Sequence, residues 1–150
     1  MNFELLNQET KKAGERNDCS VKAFAVVTGC SYKQAHWEMK KAGRPDRKGL
    51  PVLAPGRVVY RKEDLPDHNE RMIAALKRNG FRVQKVGCNS RTVRTLGRNI
   101  KSNGKFLVFV SSHVLAIKDK KVIDWTNGRC HRIKSVWKVE GEWNKIRVGR

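Results

Sequence analysis

Three residues of this chain, in order, have the types that nucleophilic catalysis at a carbonyl requires: Cys19, His113 and Asp124. A thiolate attacks the carbonyl carbon. An imidazole takes the thiol proton and later returns it to the leaving group. A carboxylate fixes the tautomer and orientation of that imidazole. Cys19 stands in Asn17-Asp18-Cys19-Ser20-Val21-Lys22-Ala23-Phe24-Ala25-Val26-Val27-Thr28-Gly29. Asn17 or Asp18 would cap a helix here, and Gly29 would end it in the left-handed conformation. Cys19 then lies in the first turn, where the partial positive charge of the helix favours a thiolate. Its own backbone N–H is a donor for an oxyanion, and the Asn17 side chain offers a second. The run is apolar almost all round, with Lys22 its one charged member, so the helix must be buried. Taken alone, a cysteine in such a place is usually a small buried hydrophobe. The other two residues give it a chemical reading.

His113 and Asp124 fall on the two arms of one expected hairpin. If Asp119-Lys120 forms a two-residue loop, Lys118 pairs with Lys121 and Leu115 lies opposite Asp124. His113 is then a diagonal neighbour on the same face, ~7–8 Å away at the backbone. That distance lets a carboxylate accept a hydrogen bond from an imidazole. A loop longer by one residue would put the two on opposite faces. Asp119 remains the competing acid.

Other elements must position this set. Residues 1–16 read as a polar arm, with a short helix at Phe3–Leu6. The cysteine helix spans about 18–28. Its β-branched Val21, Val26 and Val27 make a strand the competing assignment, and the flanking cap and glycine favour helix. Ser31 and Gln34 form a capping box for a second helix. That helix buries Tyr32, Ala35, His36 and Met39 and stops at Gly43. Residues 44–68 hold all four prolines and read as a loop or lid, with an edge strand at 57–60. Asn69 caps a third helix with Met72, Ile73, Ala75 and Leu76 inward. A half-buried strand follows at 81–86. Ser90 caps a further helix to about Lys101, with Arg91, Arg94, Arg98 and Lys101 along one side. Lys105–Val110 is the most apolar strand and should be central. Strands at 113–117, 122–125 and 132–139 follow, then a basic tail from 143 to 150.

The 150 residues suffice for one domain with a real core. The charge is unusual: 33 lysines and arginines against 14 acidic residues, a formal net +19. Such a balance speaks to steering and polyanion partners and not to fold. The stripe Arg91, Arg94, Arg98 and Lys101 is the first candidate for a phosphate backbone. An acidic protein or nucleic acid is the expected partner class. No apolar run reaches the ~20 residues of a membrane span, and no secretory leader is visible. Cys19, Cys30, Cys88 and Cys130 form no C-x-x-C pair. They read as free thiols of a cytoplasmic protein. Cys130 and His131 point to opposite faces of a strand, and no ligand spacing for a metal is present. Neither metal nor cofactor is expected.

Asn17-Asp18-Cys19-Ser20-Val21-Lys22-Ala23 is similar to the nucleophile motif of the bacteriocin-processing peptidases. It also resembles that of ovarian-tumour-type deubiquitinases, where a basic residue and Ala follow three and four positions after the Cys. Together with His113-Val114-Leu115-Ala116-Ile117 and Val122-Ile123-Asp124-Trp125, the stretch Glu15–Gly29 and Ser31-Tyr32 resemble small bacteriophage proteins of the papain-like cysteine peptidase superfamily. The resemblance implies an α+β papain-like fold, helices first and a mostly antiparallel sheet after. It implies Cys19 as nucleophile, His113 as base, Asp124 as orienting acid and, for a phage protein, a host cytoplasm. Ala13 stands where many such enzymes place an oxyanion-stabilising Gln, and Ser20 where the bacteriocin-processing motif has Gly.

The expected function is therefore a cysteine hydrolase, a peptidase or isopeptidase. Acyl transfer by the same triad is chemically equivalent up to the acceptor. The alternative is a basic nucleic-acid- or polyanion-binding protein in which the triad is incidental.

Overall fold

The computed structural model describes residues 3–13, 18–43 and 68–143. Asn17, the proline-containing loop with its edge strand at 57–60, and the tail from 144 lie outside the described residues. Among the described residues ten elements follow in order: α1 (Phe3–Ala13), α2 (Cys19–Thr28), α3 (Tyr32–Lys41), α4 (His68–Arg78), β1 (Arg82–Val86), α5 (Val93–Asn99), β2 (Lys105–Val110), β3 (His113–Lys118), β4 (Lys121–Ile123) and β5 (Ile133–Glu140). The class is α+β, with the first four helices ahead of an antiparallel sheet of order β1-β5-β2-β3-β4.

β2 is the middle strand, as its apolar run implies, and its two faces feed different clusters. Leu107 and Phe109 pack with α1–α4, together with Phe24, Val27, Met39, Met72 and Leu76. Phe106, Val108 and Val110 pack on the other face with Val93 and Leu96 of α5 and Val136 of β5. A strand buried on both faces loses the polar half of the usual alternation, which is why β2 reads as a continuous hydrophobic run. The sheet is thus covered on both sides.

α2 is the helix on which the first face rests. From Ala23 to Thr28 every residue is buried. Gly29 ends it at φ 79°, with its N–H donating to the Ala25 carbonyl. Without a Cβ, glycine takes this left-handed conformation at no steric cost.

Three sequence expectations change. α1 runs to Ala13 and is no short turn, because Leu6 on its inner side is fully buried in the main cluster. α4 starts at His68, so Asn69 lies inside the helix and does not cap it. α5 is capped by Thr92, whose hydroxyl accepts from the Thr95 N–H, and it covers only seven residues. Ahead of it, residues 91–93 are held extended against 131–133. Ile133 N–H donates to the Arg91 carbonyl, and Val93 N–H to the His131 carbonyl. This pairing overrides the helical pattern that starts at Ser90.

Candidate active site

α2 begins at Cys19, so the thiol stands in the first helical turn. The expected cap takes a different form. Asp18 occupies the capping position, and its side chain makes no bond to the helix N–H groups. Its carboxylate turns away into a buried network. Oδ2 accepts from the Thr10 hydroxyl at 2.6 Å and from the Tyr32 hydroxyl at 2.6 Å. Lys22 Nζ lies 3.4 Å from Oδ1 and donates to the Asn7 side-chain oxygen at 2.7 Å. The Asp18 pKa is lowered. Burial pushes it up, but the Thr10 and Tyr32 hydroxyls and the Lys22 ammonium together prevail. α1, α2 and α3 are joined at the residue that precedes Cys19.

His113 is the first residue of β3 and enters from a tight turn. Val110 pairs with His113 across two serines, and Ser112 takes the left-handed φ of 55°. The neighbouring hairpin has the expected register. Lys118 pairs with Lys121, Ile117 with Val122 and Ala116 with Ile123, around Asp119 and Lys120 at φ 51° and 70°. Positive φ at both central residues is the hairpin turn that matches strand twist. Asp124 follows directly after β4. His113 Nε2 and Asp124 Oδ2 are 2.8 Å apart. Asp124 is therefore the acid that meets the ring, and Asp119 turns the chain.

Cys19 closes the set. The His113 ring and the Val114 backbone N–H lie close enough to the thiol to lower its pKa. The ring's Nε2 is taken by Asp124. Burial pushes the Cys19 pKa up and the Asp124 charge adds to that. The nearby His113 ring, the Val114 N–H and the imidazolium charge outweigh both, so it is lowered from its ordinary value of 9.0. Burial pushes His113 down, but its bonds to Asp124 and Cys19 and the two negative charges raise it to about 9. The two shifts run in the directions that favour a proton on the ring and a thiolate at the sulfur. Such a pair can supply a nucleophile and an acid for a leaving group.

Two neighbours went unnoticed in the sequence. Thr126 is fully buried, and both its N–H, at 3.1 Å, and its hydroxyl, at 2.6 Å, donate to Asp124 Oδ2. The Asp-x-Thr spacing is the signal for it, since carboxylates commonly bond a backbone N–H two residues on. Trp125 lies tilted against His113, with ring centroids 5.1 Å apart, yet keeps 48% of its surface exposed. His131 meets the Trp125 edge at 5.2 Å.

The basic stripe is differently arranged from its sequence pattern. Only Arg94 and Arg98 lie on α5. Arg91 stands before it on the extended segment and Lys101 beyond its end. All four are exposed. Among the described residues no group of three or more His, Cys, Asp and Glu side chains is placed to hold a metal ion. No helix among them is long and apolar enough to cross a membrane. Comparison of the chain with protein-family models, curated proteins and solved structures returns no match.

Proposed function

We propose that the protein is a cysteine hydrolase of papain-like architecture that cleaves an amide or isopeptide bond. The observation that carries this reading is His113 hydrogen-bonded to Asp124 and lying beside Cys19, whose pKa it lowers, with the thiol at a helix start. The thiolate sulfur attacks the carbonyl carbon, forming a C–S bond, and the Cys19 N–H faces the oxyanion. The C–N bond breaks as the imidazolium gives its proton to the amine. A water then loses a proton to the neutral imidazole and attacks the thioester. The C–S bond breaks, the acid leaves and the thiolate–imidazolium pair is restored. An amine in place of that water would make the reaction acyl transfer. Asp124, held by Thr126, keeps the ring oriented throughout. The setting is a reducing cytoplasm, in which Cys19 stays reduced, and all four cysteines are free.

The test is a peptide-library digestion read by mass spectrometry. Cleavage that disappears in Cys19→Ala and His113→Ala supports the reading. Cleavage that persists in either variant removes it.

A further inference from the structure

The triad adjoins a cationic surface for which the described residues provide no counter-charge. Residues 91–94 run beside residues 129–133, with the Arg94 N–H donating to the Arg129 carbonyl at 2.8 Å and a bridge between Thr92 and Arg132. This pairing gathers Arg91, Arg94, Arg129 and Arg132 from two distant segments, and all four are exposed. Among the described residues no carboxylate pairs with any of them. Residues 81–138 contain 14 lysines and arginines against two acids, Asp119 and Asp124. One of those, Asp124, is committed to His113 and Thr126.

This surface reaches the reacting groups in two contacts. The Arg129 guanidinium lies 5.6 Å from the centre of the Trp125 ring, and that ring lies 5.1 Å from His113. Uncompensated guanidinium groups draw anions along such a surface and grip carboxylates with two parallel hydrogen bonds. The thiolate needs a carbonyl carbon, which a phosphodiester does not have. A polymer that engages both features has acyl carbons and anionic side chains.

We propose that the substrate is an acidic peptide segment, its carboxylates lying on Arg91, Arg94, Arg129 and Arg132 and its reacting carbonyl at Cys19. This rests on the cysteine-hydrolase reading and adds the substrate class. The probes are peptides of one length carrying a thiol-reactive chloroacetyl group and either glutamates or lysines. Labelling of Cys19 is followed by mass spectrometry, and each rate is divided by the same protein's rate with iodoacetamide. The Glu probe should react on the order of tenfold faster than the Lys probe. That advantage should shrink between about 50 and about 200 mM salt and vanish in R91E/R94E/R132E. Should that variant fail to fold, the two probes and the salt series on the unaltered protein carry the test. Equal rates for the two probes overturn the inference. So does stronger protection by a single-stranded oligonucleotide than by a free Glu peptide of equal charge, which would point to nucleic acid. A Cys19 that iodoacetamide does not single out from the other thiols defeats the hydrolase reading itself, a result distinct from either.

Discussion

Cys19 opens α2 and Cys30 lies two residues past its end, so one helix separates two thiols of the same intrinsic acidity. Burial pushes both pKa values up. At Cys30 nothing outweighs it. The Thr28 hydroxyl donates to the sulfur at 3.0 Å, the Glu38 charge opposes ionisation, and the pKa stands at about 11. At Cys19 the His113 ring, the Val114 N–H and the imidazolium charge reverse the sign. A buried cysteine is inert unless its surroundings supply hydrogen-bond donors and a cation. Here only the thiol near the His–Asp pair receives them, and the helix dipole acts in the same direction.

The largest change should come from His113→Ala. It removes the ring, leaves the burial, and sends Cys19 upward towards the value of Cys30. Hydrolysis should fall by on the order of 10²–10⁴-fold, the span general acid–base catalysis contributes, and iodoacetamide should no longer distinguish the two cysteines at neutral pH.

Asp18→Ala probes what holds the Cys19 end of α2. It strips Thr10, Tyr32 and Lys22 of their shared acceptor, and breaking such a buried charged network costs about 3 kcal/mol. Urea unfolding should report the loss. The native Asp18 pKa lies below 3.8. Its contribution is therefore complete above the unfolded value and fades as pH falls through the folded one. The acid limb of the stability curve should flatten in this variant.

Asp124→Asn should cost a hydrogen bond between charged partners, about 1.5–3 kcal/mol, or roughly tenfold to 150-fold in rate. It also lowers His113 from about 9 towards 6.5, so the upper edge of the activity profile against pH should move down. The stability sign follows from the same raised pKa. In Cys19→Ala, where no thiol opposes it, the His113 contribution is complete below 6.5. It declines as pH rises through a folded value kept above 6.5 by Asp124. Urea midpoints measured across that range should fall, and should stay flatter in Cys19→Ala/Asp124→Asn.

Cys30→Ala should be the mildest, about 1 kcal/mol for a small core truncation. The alkylation profile of Cys19 should not move.

Much of this arrangement was legible in the sequence. The Asp119-Lys120 turn set the Lys118–Lys121 register, and that register placed Asp124 on the side of His113. The apolar run after Cys19, closed by Gly29, marked the buried helix. What was illegible depended on partners distant in the chain. Nothing near Asp18 announces Thr10 or Tyr32, so it read as a cap. Arg91 to Lys101 have helical spacing, but pairing of residues 91–93 with 131–133 shortens the helix and regroups its arginines with Arg129 and Arg132. Leu6 turned a polar arm into a packed helix.

The central claim is that His113 gives Cys19 a thiolate character that Cys30 lacks. Alkylation by iodoacetamide, followed at both cysteines in one sample from pH 5 to 10 (roughly the range of perturbed thiols), tests it directly. The expected result is that Cys19 reacts with an apparent pKa below 9.0, that Cys30 stays unreactive until far higher pH, and that His113→Ala abolishes the difference. A Cys19 that titrates with Cys30, or keeps its advantage without His113, would contradict it.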